Sequence, residues 1–167
     1  MKWFAKLALL SALLATSVNA ASIVDGNRIA VGVGGSYEWH GGRLEPAPPQ
    51  RNEIAVNAFG AYALTNHFSA VARGVYGAGN RTVRFSPGAH FNFIGGSESL
   101  ALALTYDFYA GDFEPAFPNE WVVSALYARP IGKHLTAAVS EAWCFDTKEN
   151  RTSVQLTVPI FVGSEKE

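Results

Sequence analysis

The chain has 167 residues, 49% hydrophobic and only 16% charged, with a formal net charge of −1; an ordinary soluble domain carries about 25% charge. This balance provides no basic patch for nucleic acid, and one cysteine, Cys144, excludes an intramolecular disulfide. Past the N-terminus no run approaches the ~18 consecutive apolar residues of a membrane-spanning helix.

Residues 1–20 read as a secretory signal peptide. Lys2 and Lys6 form a positive start, Leu7 to Ala15 a short apolar run, and Val18-Asn19-Ala20 a small-residue cleavage site. Residues 21–167 then form a single domain. Asn80-Arg81-Thr82 and Asn150-Arg151-Thr152 match the glycan acceptor pattern, and beside a bacterial-type signal peptide both read as chance matches.

Along the exported part, apolar residues alternate with small or polar ones, the period of a strand with one apolar face. Strand 1, about Arg28 to Trp39, puts Ile29, Val31, Val33, Tyr37 and Trp39 on one face and Arg28, Ala30, Gly32, Ser36 and Glu38 on the other. A loop with Pro46, Pro48 and Pro49 follows, from His40 to Arg51. Strand 2, about Glu53 to Leu64, sets Ile54, Val56, Tyr62 and Leu64 against Glu53, Asn57 and Ala61. Strand 3, about Phe68 to Tyr76, sets Phe68, Ala70, Ala72 and Tyr76 against Ser69, Arg73 and Val75.

Strand 4 is the clearest. Val83, Phe85, Pro87, Ala89, Phe91 and Phe93 oppose Arg84, Ser86, Gly88, His90 and Asn92. Strand 5 sets Leu100, Leu102, Leu104, Tyr106 and Phe108 against Ser99, Ala101, Thr105 and Asp107. Strand 6 sets Trp121, Val123, Ala125 and Tyr127 against Val122, Ser124 and Ala128. Strand 7 sets Leu135, Ala137, Val139, Trp143 and Phe145 against Thr136, Ser140 and Cys144. After a polar loop from Asp146 to Asn150, strand 8 sets Val154, Leu156, Val158, Ile160 and Val162 against Ser153, Gln155 and Thr157. The connections after strands 1 and 5 are long, and those after strands 2, 4 and 6 are short turns, as in a barrel with loops on one side of a membrane and turns on the other.

Alternation does not say which face is inside, because a soluble lipocalin-like barrel alternates too. Two observations separate the cases. The non-apolar face is mostly Gly, Ala, Ser, Thr and Asn, and the only lysines past residue 20 are Lys133, Lys148 and Lys166, outside the strands; a water-facing surface is rich in Lys and Glu. Aromatic residues also gather at strand ends: Tyr37, Trp39, Tyr76, Tyr106, Phe108, Trp121, Trp143 and Phe145 at the loop ends, and Tyr62, Phe68, Phe91, Phe93 and Tyr127 at the turn ends. That is the pattern of two interfacial girdles. The expected fold is therefore all-β, an eight-stranded antiparallel up-and-down transmembrane β-barrel over residues 21–167, with strand 1 paired to strand 8 so that no backbone edge is left in lipid.

The inward parity then makes a polar network of Arg28, Glu38, Glu53, Arg73, Arg84, His90 and Asp107. Inside such a barrel a charge must be paired or wetted, so Glu38 and Glu53 are expected to meet Arg84 or Arg73, and Asp107 to lie beside Arg84. Eight strands leave a lumen nearly filled by side chains, which favours a salt-bridged plug over a narrow passive pore. Ser36, Glu38 and His40 share a face, as do Ser86 and His90, but neither set forms a recognised catalytic motif. The four histidines are dispersed. No catalytic, cofactor or metal site is assigned. Three residues sit badly in the pattern: Glu141 on the apolar face of strand 7, and Pro87 and Pro159 inside strands 4 and 8. Local bulges are the expected remedy at each.

In this pattern, from Asn27 to Val162, the chain resembles the small eight-stranded outer-membrane barrels of Gram-negative bacteria: the OmpA-like and OmpX-like barrels and the opacity-type surface antigens. Such barrels often end on an aromatic residue, whereas here Phe161 is followed by six more residues. The resemblance implies a monomer in the outer membrane, surrounded by lipid and lipopolysaccharide. It implies a structural or surface-interaction role, with an extracellular or host partner met through the first loop and the Phe113–Pro118 stretch. A lipid A-modifying enzyme of the same architecture is the catalytic alternative; the His-x-Ser-Asn pattern of the lipid A deacylase family is not present.

Overall fold

The computed structural model describes residues 27–42, 52–94, 99–111, 118–131 and 135–164. Its strands are β1 (Asn27–Gly42), β2 (Asn52–Ala63), β3 (Phe68–Gly77), β4 (Thr82–Ile94), β5 (Ser99–Gly111), β6 (Glu120–Pro130), β7 (Thr136–Cys144) and β8 (Glu149–Ser164). Each pairs antiparallel with its sequence neighbour, and β1 pairs with β8 to close the barrel. Residues 1–20, expected to be a signal peptide, and segments 43–51 and 112–117 of the two long connections lie outside the described residues.

The strands are steeply staggered. Following paired residues once round, from Ile29 through Tyr62, Ala70, Ala89, Leu104, Val123, Trp143 and Asn150, leads back to β1 at Gly41 rather than at Ile29. Stagger, tilt and diameter are linked in a closed sheet, so this offset widens the lumen.

Polarity is inverted relative to a water-soluble protein. The largest fully buried side chains include Glu38, Glu120, Glu149 and Asp107, whereas Ile54 is 65% exposed, Trp121 51% and Leu104 48%. Every large apolar side chain of the exposed set within the strands sits at an outward position of the alternation, so the apolar belt faces lipid. Aromatic contacts cluster at the two ends. Tyr106 lies edge-on to Phe108 and Trp121 at the loop end, with centroids 4.8 and 5.1 Å away, and Phe91 meets Phe68 and Phe93 at 4.8 Å at the turn end.

The three misfits resolve differently. At Pro159 the expected bulge is present: Val31 pairs with Phe161 and Gly32 with Pro159, leaving Ile160 as the extra residue. Pro87 has none. It stays in register with Ala72, and the ladder to β5 lapses at Ser86 and Pro87 and resumes in the same register, between the Phe85–Phe108 and Gly88–Thr105 pairs. The missing N–H costs one local gap, not a residue of register. Next to it Gly88 lets β5 approach so closely that a Cβ there would overlap the Leu104 carbonyl oxygen.

Glu141 is likewise not turned inward, since β7 keeps its register with both neighbours. Its carboxylate stays outside and accepts a hydrogen bond from the Thr152 hydroxyl at 2.5 Å. Glu141 lies one outward position before Trp143 on the same strand. The charge therefore sits next to the loop-end girdle, where its cost falls away from the midplane value.

This placement predicts contrasting outcomes for two outward substitutions. Leu102→Arg, in the middle of the apolar belt, loses about 2–4 kcal/mol. Glu141→Leu, next to the girdle residue Trp143, leaves stability unchanged or higher. Reversible urea unfolding in phospholipid vesicles, followed by tryptophan fluorescence, measures both; a tolerated Leu102→Arg would mean that this face meets water.

Candidate functional site

Strand parity brings inward charges from five of the eight strands to one level, just inside the loop end. Glu38 on β1 is the hub. Arg84 on β4 donates from Nη2 to both of its carboxylate oxygens at 3.0 and 3.1 Å, and Arg73 on β3 reaches Oε1 at 3.4 Å. Arg84 Nε lies 3.6 Å from Asp107 Oδ2 on β5. Arg151 on β8 donates to that same oxygen at 3.0 Å, and also to the Tyr109 hydroxyl at 2.8 Å and Cys144 Sγ at 2.9 Å. The chain of ion pairs thus crosses the lumen from β1 to β3, β4, β5 and β8. Charge-assisted bonds of this kind are the strong ones, and with the partners this buried each depends on the others.

A second tier lies further toward the loops. The His40 ring stands between two carboxylates, its Nδ1 against Glu149 Oε1 and its Nε2 3.4 Å from Glu53 Oε1. Glu53 Oε2 accepts the backbone N–H of Asn80 at 3.1 Å, tying β2 to the β3–β4 connection. Gly77 is needed beside it, because a Cβ there would strike the Glu53 carboxylate. Glu120 does the same for the β7–β8 connection, accepting the N–H groups of Asp146 and Thr147 at 3.2 and 3.0 Å and the Thr147 hydroxyl. Arg81 and Lys148, one in each of these connections, have φ of 55°. The buried acids therefore pin the short loops to the barrel wall.

Of the sequence-expected network, Glu38, Arg73, Arg84 and Asp107 come together as anticipated. Glu53 does not meet an arginine; its partners are His40 and Asn80, since it sits one tier nearer the loops than the guanidinium heads. His90 faces the lumen but joins none of these ion pairs among the described residues. Arg28 belongs to β1, and its side chain lies outside the described residues. Sequence reading missed His40, Glu120, Glu149, Arg151 and Tyr109. The signal was present: His40 shares parity with Glu38, Glu149 and Arg151 with Ser153, and Glu120 with Val122. The expected strand 1 stops too early and strands 6 and 8 start too late, because polar residues at a strand end resemble loop.

Below the ion pairs, toward the turns, is a cavity of about 140 Å³. Glu38, Arg73, Arg84, Asp107 and Arg151 form its roof, and Asn92, Ala128 and Thr136 mark its turn-side reach. Ser36 does not form a catalytic pair with His40: its hydroxyl donates to Glu38 at 3.4 Å. Two groups, Glu38–His40–Glu53 and Glu120–Cys144–Glu149, bring possible metal-ligand atoms within 4.8 Å of one another. Guanidinium heads or backbone N–H groups already occupy Glu38, Glu53, Glu120 and Cys144 in these groups, so protein donors take the place a cation would have.

No family model and no curated protein sequence matches this chain. Solved structures do. A de novo designed transmembrane β-barrel matches 81% of this chain and 96% of its own at a TM-score of 0.57 and 7% identity. The designed barrel TMB2.3 matches 81% and 95% at 0.50 and 11% identity. Ail, the attachment invasion locus protein of Yersinia pestis, matches 80% and 97% at 0.50 and 11% identity. At these identities the likeness is one of fold: the eight-stranded transmembrane barrel that small outer-membrane proteins use.

The ion-pair lattice gives a direct test. Arg84→Met leaves Glu38, 1% exposed, with only the 3.4 Å approach of Arg73 as an ion pair, while Asp107 keeps Arg151; the loss is expected to be about 3 kcal/mol. The double variant Arg84→Met/Glu38→Gln recovers part of that loss, because contacting partners are not additive. The same vesicle unfolding assay reads these and the single Glu38→Gln; a double-variant loss equal to the sum of the two single losses would show that the two side chains do not act as a unit.

Proposed function

We propose that the protein is a resident outer-membrane barrel whose work is done by its loops, with the lumen closed by the Glu38–Arg84–Asp107–Arg151 lattice. The observation that carries this reading is the pairing of inverted polarity with a cross-lumen salt-bridge layer. Outward Leu and aromatic residues suit lipid, while five buried carboxylates and three arginines hold strands and short loops together. A wall so fixed is a rigid mount, and recognition on such mounts sits in the loops. The loop-end segments 43–51 and 112–117 are the proposed contact surfaces for an extracellular or host partner. Ail, whose name marks attachment and invasion, is a protein of similar fold. Lipid and lipopolysaccharide surround the barrel, which acts as a monomer.

We read the protein as non-catalytic. Support comes from Ser36 and His40, which are turned to different partners, and from His90, which has no nucleophile bonded to it among the described residues. Labelled lipid A is expected to be unchanged after incubation; a product that disappears in a His90→Ala variant would reverse this.

Trypsin on intact cells tests the location and orientation together. Arg43 and Arg51 flank the first loop, so cleavage is expected there with the barrel surviving as a fragment whose gel mobility changes on boiling. Cleavage only after the outer membrane is opened would invert the orientation, and a soluble periplasmic protein with no mobility change would remove it from the membrane. In planar bilayers the wild type is expected to give no steady single-channel steps; regular steps would replace the closed lumen with a pore.

A further inference from the structure

The two tiers of lumen charge are not balanced alike. Among the described residues, the loop-side tier holds Glu53, Glu120 and Glu149 around a single histidine, His40. The tier that roofs the cavity holds Glu38 and Asp107 against Arg73, Arg84 and Arg151. Arg151 also reaches Glu149 of the loop-side tier at 3.7 Å, so the two tiers form one network, and within it Arg73 is the least engaged guanidinium. Arg84 and Arg151 are 6% exposed and spend their heads on carboxylates, whereas the Arg73 side chain is 27% exposed although it lies in the middle of β3, facing inward. Its one ion pair is the 3.4 Å approach to Glu38 Oε1, an oxygen already held by Arg84 at 3.0 Å. The exposed area of Arg73 therefore opens onto the cavity, not onto bulk water.

The walls around that head suit an anion. Ser86 is its register partner on β4, and His90 follows on the same inward face. Thr105, Ser124 and Ser140 also border the cavity, Thr105 with its hydroxyl toward Asp107 and Ser140 with its hydroxyl on Ser153 at 2.7 Å. Glu38 and Asp107 are the only carboxylates among the residues that bound the cavity, and both are engaged by Arg84 and Arg151. A cavity of ~150 Å³ admits a molecule the size of benzene, and the 140 Å³ here accommodates acetate, phosphate or sulfate but not a sugar or nucleotide.

We infer that the turn-side cavity is a binding site for one small oxyanion, held by the Arg73 guanidinium with hydroxyl donors around it and His90 beside it. The anion meets the part of the Arg73 head that its one long approach to Glu38 leaves exposed to the cavity. It exchanges from the turn end, since the lattice closes the other. The inference concerns the barrel interior alone and does not depend on what the loops contact.

The test uses the full-length exported protein in lipid nanodiscs, titrated with phosphate, sulfate or acetate at constant ionic strength and followed by NMR at the backbone amides and arginine Nε. Saturable shifts centred on Arg73, Ser86 and His90 are expected. Arg73→Gln should weaken binding by at least about tenfold, the loss of a charge-assisted hydrogen bond, while Arg81→Gln, on an exposed connection, should leave it unchanged. Crystals of the wild type soaked in selenate give a second readout that needs no variant: an anomalous peak beside the Arg73 guanidinium. Non-saturating shifts spread over the loops, a titration unaltered in Arg73→Gln, or a cavity holding only water in the selenate crystals would each overturn the assignment.

Discussion

Everything in this molecule depends on closing the sheet. A backbone N–H or C=O left unpaired in hydrocarbon costs several kcal/mol, so a sheet with two free edges has no place in lipid. The seam is made by β1 and β8, the two longest strands at 16 residues each. It absorbs two irregularities, one near Asn27 and one at Ile160, without losing the register of the inward residues from Gly32 to His40. The seam also carries the chemistry. Glu38 and His40 project from one side of it, Glu149 and Arg151 from the other. The contacts between them and with Asp107 and Glu53 fasten the seam to the rest of the wall.

Closure at this stagger has a second consequence. A wider eight-stranded barrel cannot be filled by Gly, Ala and Ser alone, and the long charged side chains lie in two tiers near the loop end. The result is a layered interior: acids holding the short loops at the mouth, a lattice of ion pairs beneath them, and an unfilled space below, lined by alanine, valine and leucine with a few hydroxyls. Apolar filling would have been the cheaper way to pack a soluble core. In a membrane protein it would have removed the distinction between the two faces of every strand.

The alternation was legible because a strand with one lipid face and one lumen face must alternate, and no competing helix pattern was present. Strand number and order followed from it, down to the weakly patterned Phe68–Tyr76, whereas facing followed from the scarcity of lysine and the aromatic residues at the strand ends. What was not legible lay at strand ends and in side-chain reach. His40 and Glu149 look like loop residues because loops are polar, yet the inward positions of these strands are polar as well, so composition cannot mark where such a strand stops. Glu53 was matched to an arginine by strand proximity, whereas its height in the barrel set it against His40 and Asn80. Pro87 and Glu141 suggested bulges because each breaks a local rule. The chain meets the first with a two-residue lapse in one ladder and the second with a threonine and a girdle position.

The buried charges also explain why the register is unique. A one-residue slip of a strand sends its lumen face to the lipid. For strands whose inward residues are Ser, Ala and Thr that exchange is mild, and such a sheet would be free to slide. For β3, β4 and β8 the slip would put Arg73, Arg84 or Arg151 into hydrocarbon, at up to about 2–4 kcal/mol for each guanidinium, and would take one guanidinium from Glu38 or Asp107. A lattice that contributes little net stability compared with an apolar fill thereby separates the correct closure from its neighbours by a large gap, and it does so on β3, β4 and β8, where one fixed strand constrains the two beside it.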